Sequence, residues 1–172
     1  YAREAIAQII GRGSYDGLSD NTALDVQYSL VGFYGGMTGE YQGFGRYYDS
    51  QWNDAKVLQG WTSSADTLYS SIPSQLNNRV DGGTNYEAGL SLGGDQLDEA
   101  RKNRPDALKV VIFITDGNPG FYYKSDGYTD GTTNPTGNNY DDTALDHAVT
   151  EIENIETDYF YLVGVTSDIN SD

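Results

Sequence analysis

Lys109-Val110-Val111-Ile112-Phe113-Ile114-Thr115-Asp116-Gly117 is a run of β-branched and aromatic residues that stops abruptly at Thr-Asp-Gly. A continuous apolar run of this length reads as a strand buried on both faces, the kind found at the centre of a parallel sheet. Asp116 then falls at the strand's carboxyl end, which is where ligand sites lie in open α/β sheets. Gly117 allows a tight turn there, and a carboxylate in that position is well placed to face a cation or a ligand.

The residues on either side supply the partners such a strand needs. Upstream, Asp81-Gly82-Gly83-Thr84-Asn85-Tyr86-Glu87 reads as a loop that opens a helix. In that helix Tyr86, Leu90, Gly93 and Leu97 share one face. Gly93-Gly94 weakens it by about 1 kcal/mol per glycine, which suggests close packing on the sheet. Downstream, residues 116–141 form a long loop of Gly, Asp, Asn, Thr and Tyr. A helix follows over Asp142–Glu156, with an apolar stripe of Leu145, Ala148, Val149, Ile152 and Ile155 and with Asp141 and Asp142 at its N-terminus. Tyr159-Phe160-Tyr161-Leu162-Val163-Gly164-Val165 reads as another buried strand. Nearer the start, Ala2–Ile10 is helical and is stopped by Gly11 and Gly13. Leu24–Phe33 is a strand, Gly35–Asp54 a long surface loop, and Ala65–Leu76 a helix interrupted at Pro73. Strands alternating with helices imply a mainly parallel sheet with right-handed crossovers and helices on both faces.

Composition narrows the function classes. The chain has 172 residues, enough for one domain that buries roughly 70% of its unfolded surface. Its 26 acidic and 10 basic residues give a formal charge of −16. That charge opposes nucleic-acid binding through phosphates and docking on anionic lipid, and it suits hard cations, basic partners or a solvated extracellular surface. There is no cysteine, so disulfide and thiol chemistry are excluded. No apolar run approaches the ~20 residues that span a bilayer. The chain opens on Tyr1-Ala2-Arg3 without an initiating Met and reads as a piece of a larger multidomain protein. Fifteen tyrosines, many in polar Gly-rich contexts such as Tyr34, Tyr41, Tyr47 and Tyr128, provide recognition surface or pack down loops poor in aliphatic residues.

Thr84 and Asp116 bring a hydroxyl and a carboxylate to the rim of the sheet. Both are hard oxygen ligands suited to Mg²⁺, Mn²⁺ or Ca²⁺, although Thr84 could equally cap its helix and Asp116 anchor its own turn. Gly83-Thr84-Asn85-Tyr86-Glu87-Ala88-Gly89-Leu90, followed one helix later by Val110–Gly117, resembles the von Willebrand factor A domain family. Val26–Phe33 is similar to its second strand and Tyr161–Val165 to a later one. The resemblance implies a Rossmann-like sheet carrying a metal-ion-dependent adhesion site at its carboxyl edge. Thr84 and Asp116 would hold Mg²⁺ (or Mn²⁺ or Ca²⁺) there, and an acidic group of the partner would complete the shell. Gly83, Asn85, Gly117 and Asn118 would shape the rim, and Tyr34 with the 35–54 and 117–141 loops would set specificity.

The family's first site motif, Asp-x-Ser-x-Ser, is absent, so residues 1–172 are expected to form a single domain of this type without its first strand and without its last strand and helix. The loops, the tyrosines and the missing cysteine are similar to those of bacterial surface and pilus-tip adhesins. The expected role is therefore a non-enzymatic, extracellular, cell-wall-associated module that binds a protein or glycan ligand.

Alternatives are a scaffold domain without an active metal site, an intracellular A domain serving metal-chelatase or AAA machinery, and an α/β-hydrolase. For the last, Gly89-Leu90-Ser91-Leu92-Gly93 has the nucleophile-elbow pattern with Asp116 and His147 in triad order, but Ser91 falls inside a helix. Asp126–Gly131 resembles an EF-hand loop without its third-position acid and closing Glu.

Overall fold

The computed structural model describes residues 2–11, 25–33, 41–42, 45–46, 54–72, 84–115, 118–123, 129–131 and 142–165. In chain order the elements are α1 (Ala2–Ile9), β1 (Tyr28–Phe33), β2 (Tyr41–Gln42), β3 (Gly45–Arg46), β4 (Ala55–Thr62), α2 (Ala65–Ser71), α3 (Tyr86–Asn103), β5 (Val110–Thr115), β6 (Phe121–Tyr123), β7 (Thr129–Gly131), α4 (Asp142–Asn154) and β8 (Tyr159–Gly164). The architecture is mixed α/β. No helix among the described residues is long and apolar enough to cross a membrane.

Local chemistry sets the helix ends. The Asn85 side chain caps α3 by accepting from the Ala88 N–H, and Arg101 and Lys102 face its negative C-terminal dipole. Pro105 follows Arg104, and the residue before a proline is pushed out of the α region, so α3 stops there. Ser64 caps α2 in the same way through the Thr67 N–H, and α2 ends at extended Ile72, just before Pro73. Arg3 of α1 lies over the Tyr69 ring of α2, its guanidinium carbon 4.6 Å from the centroid.

The strands form four pairs. β5 and β8 are parallel in the register Val110↔Tyr159 to Thr115↔Gly164. β1 and β4 are antiparallel with irregular register, and β2–β3 and β6–β7 are short antiparallel hairpins. α3 spans the two longer pairs. On one side the Trp61 indole donates to the Gln96 carbonyl at 3.1 Å and the Ser29 hydroxyl to the Gln96 side chain at 3.0 Å. On the other, Leu90 packs with Phe113 and with Ala148 of α4. Phe33 of β1 stacks on Phe113 of β5 with centroids 4.8 Å apart, and the Tyr86 ring meets both edge-on. β1 and β5 thus share one core under α3, though neither hydrogen-bonds to the other.

Several expectations change. β4 occupies a stretch that carried no strand expectation, and the loops expected over 35–54 and 116–141 contain the β2–β3 and β6–β7 hairpins. β5 and β8 are not buried on both faces. α3 and α4 cover Phe113 and Phe160 on one face but leave Leu162 on that face 66% exposed, and Val110, Ile112, Tyr159 and Tyr161 on the other face are 44%, 38%, 51% and 54% exposed. Val149 and Ile152 of the α4 stripe are likewise exposed, while Ala144 and Ala148 are buried. The close approach expected at Gly93-Gly94 occurs four residues earlier. A Cβ at Gly93 would meet nothing within 4 Å and one at Gly94 only Ile155 at 3.4 Å, but a Cβ at Gly89 would lie 2.7 Å from Phe33 Cγ.

Candidate functional site

The apolar run of β5 carries the chain to Thr115, whose hydroxyl accepts a 3.1 Å hydrogen bond from the Tyr86 hydroxyl at the start of α3. Asp116 is the next residue in sequence, and Thr84 stands two before Tyr86. The segment after Asp116-Gly117 returns to the same place: the Gly120 and Phe121 N–H groups both donate to the Thr84 carbonyl, at 3.0 and 3.2 Å. Phe121 also bridges to Asn85 in parallel fashion. The entrance of α3, the carboxyl end of β5 and the first residues of the following loop therefore meet at one end of the β5–β8 pair.

Of the expected site residues, Thr84 is part-buried at this junction and Asn118 is exposed beside it. Asn85 is fully buried and faces inward. Its amide donates to Asp54 Oδ2 at 2.9 Å, and its oxygen accepts from the Ala88 N–H at 3.0 Å. It is therefore Asn85, not Thr84, that caps α3, and the Thr84 hydroxyl is not engaged as that cap. Asp116, Gly117, Gly83 and Tyr34 lie outside the described residues, as do Asp126, Gly127 and Tyr128 of the EF-hand-like loop. Among the described residues no group of three or more His, Cys, Asp or Glu could hold a metal ion. Ser91 lies within α3, on a helix and not on a strand-to-helix turn, so the elbow geometry of a hydrolase nucleophile is absent at that residue.

Three contributors carried no sequence signal. Asp54 is fully buried at the start of β4, and its N–H donates to the Tyr123 hydroxyl at 3.1 Å. Glu87, in the first turn of α3, accepts from the Tyr123 N–H at 2.6 Å through Oε2 and lies 3.0 Å from His147 Nδ1 through Oε1. Tyr123 is thus held at both its main chain and its phenol. An acid at the end of a long loop and one tyrosine among fifteen look like many others in this chain; their roles arise only when β6 is laid across α3. His147, expected as a surface or packing residue, packs against the Tyr122 ring at 4.7 Å. One turn along α4, burial and then the nearby Glu87 and Asp95 carboxylates raise the Glu151 pKa above the ordinary carboxylate value, and His147 offsets part of that rise.

This end of the molecule thus offers a part-buried hydroxyl at Thr84, braced by a buried Asp54–Asn85 pair and by a rim segment clamped at Thr84 and Glu87. No protein-family model matches the chain, and no curated protein matches it significantly.

Proposed function

We propose that this chain is the core of a von Willebrand factor A-type adhesion module, with a Rossmann-like arrangement of its sheet, that binds an extracellular protein or glycan through a divalent cation at the carboxyl end of β5. Thr84 and Asp116 would hold the ion. The observation that carries this reading is the Tyr86–Thr115 hydrogen bond of 3.1 Å, which ties the Gly-Thr-Asn loop to the residue preceding Asp116. A hydroxyl and a carboxylate are hard donors that fit Mg²⁺, Mn²⁺ or Ca²⁺. With a single protein carboxylate in that pair, the ion would keep enough positive charge to attract an acidic group of the partner. The remaining ligands would come from water, from the partner, or from the Asp-x-Ser-x-Ser motif that this sequence does not contain.

The α3 N-terminus adds to the reading. Asn85 satisfies an orphan N–H at the helix start and, through Asp54, fixes the loop that carries Thr84. The Thr84 carbonyl is occupied by two rim N–H groups, which leaves its side chain to do the chemistry. The competing reading, a scaffold domain without metal, is favoured by the absence of that first motif from the sequence.

Calorimetric titration of Mn²⁺ and Mg²⁺ into the protein and into Asp116→Ala separates the two. Saturable binding that disappears in the variant is the expected result. A folded parent protein that binds neither ion would refute the metal site and leave the scaffold reading.

A further inference from the structure

Glu87, His147 and Tyr123 belong to three different elements and are joined by two short contacts. The Tyr123 N–H to Glu87 Oε2 distance is 2.6 Å, and His147 Nδ1 to Glu87 Oε1 is 3.0 Å. The Glu87 side chain is only 15% exposed and that of His147 is 37% exposed, so this pair is screened less than one in open solvent. The Tyr122 ring covers the imidazole at 4.7 Å. Tyr123 ends β6, which pairs antiparallel with β7, and the residues before it return to Thr84. Glu87 is therefore where α3 grips the segment that borders the rim.

We propose that Glu87 is a latch on the rim segment 118–123 and that the proton on His147 sets its strength. Among the described residues the charged groups shown around His147 are acidic: Glu87 from α3 in direct contact, Glu151 from its own helix, and Asp95 from α3, which acts on Glu151. β6 contributes only the uncharged rings of Tyr122 and Tyr123. A protonated imidazole neutralises the Glu87–Glu151 repulsion and holds Glu87 in place as an acceptor. A neutral one leaves the two carboxylates facing each other, and the acceptor is held less firmly. After burial, which is the main cause, Glu87 adds to the rise of the Glu151 pKa and His147 offsets part of it.

The sign follows from the charges. The latch is strongest while the imidazole carries its proton and Glu87 is ionised, and it loosens with rising pH as the imidazole becomes neutral. The consequence is a rim whose order depends on mild acidity, whichever ion or partner is bound there.

Amide hydrogen exchange on the whole chain, read by NMR as protection relative to intrinsic rates, tests this. The Tyr123 amide should lose roughly three- to fivefold protection between pH 5.5 and 8, the size expected of a partly exposed ion pair. The Leu97 amide, inside α3, should not follow it. In His147→Gln the Tyr123 slope should flatten, and in Glu87→Gln, whose uncharged amide oxygen accepts more weakly, protection should fall below the parent's at pH 5.5 and lose its pH dependence. Flat Tyr123 protection in the parent, an unchanged slope in His147→Gln, or an equal change at Leu97 would each overturn the latch. If Glu87→Gln fails to fold, His147→Gln decides alone, since its side chain is partly exposed and its loss leaves the core intact.

Discussion

Gly89→Ala should destabilise this protein even though it improves the helix. Gly89 is in the third position after Tyr86, inside α3, where alanine is favoured over glycine by about 1 kcal/mol. The added methyl, however, would sit 2.7, 2.8 and 2.9 Å from Phe33 Cγ, Cδ1 and Cβ, closer than real carbon contacts allow. Phe33 cannot swing away cheaply, because two of those atoms are near its backbone and its ring is stacked 4.8 Å from Phe113. Overpacking of this kind costs about 1–3 kcal/mol, and the rigid site argues for the upper end. The net loss is about 2 kcal/mol, or roughly 4–8 °C in Tm for a domain of this size.

Gly93→Ala in the same helix is the control. Nothing lies within 4 Å of its Cβ position, so only the propensity gain remains, about 1 kcal/mol and roughly 2–4 °C upward. Thermal unfolding followed by far-UV circular dichroism reads both. Adding Phe33→Leu to Gly89→Ala should cost about 1 kcal/mol less than the sum of the two single changes, since the smaller side chain yields to the methyl. A Gly89→Ala protein as stable as its parent, or two glycine variants that shift Tm in the same direction, would refute the packing argument.

Asn85→Ala should cost about 2–4 kcal/mol, from loss of the α3 cap at about 1 kcal/mol and loss of a donor to the buried Asp54 carboxylate at about 1–3 kcal/mol. Asn85→Ser, which keeps a capping oxygen, should recover only the first part; equal urea midpoints for the two variants would contradict the Asp54 contribution. For Glu151, a folded pKa raised above the unfolded value means that its contribution to stability is full below the ordinary carboxylate range and is lost as pH rises through the raised value. Glu151→Gln should therefore stabilise the protein at pH 7 and not at pH 4 in denaturant titrations; the same change at both pH values would show that neither burial of the charge nor repulsion from Glu87 and Asp95 acts on Glu151.

Much of the framework was legible because its causes are local. The 3.6-residue spacing of Tyr86, Leu90 and Leu97 behind a Gly-Gly loop marks α3 within a few residues of chain. The apolar runs at Val110–Thr115 and Tyr159–Gly164 mark two strands that do pair in parallel. β4 was missed because Ala55-Lys56-Val57-Leu58-Gln59-Gly60-Trp61-Thr62 neither alternates cleanly nor runs apolar; it becomes a strand by pairing with β1 across an irregular register. Thr84 was expected at the rim from the Gly-Thr-Asn motif, and the capping role weighed for it belongs to its neighbour Asn85.

What depends on residues close in sequence was available before folding: the helical character of α3 and α4, the strand character of β5 and β8, and the acidic, cysteine-free surface chemistry. Burial was not. Val110 and Ile112 are as apolar as Phe113 and stand beside it, but only Phe113 lies where α3 and α4 pack; even Leu162, its neighbour across the β5–β8 pair, stays 66% exposed. Gly89 and Gly93 are the same residue one turn apart, but only the first meets Phe33. Asp54 and Tyr123 become parts of one network because β6 crosses α3 next to the start of β4. Which side chain meets which across 29 to 69 residues of chain depends on how the elements pack, and a periodic pattern names a face without naming its partner.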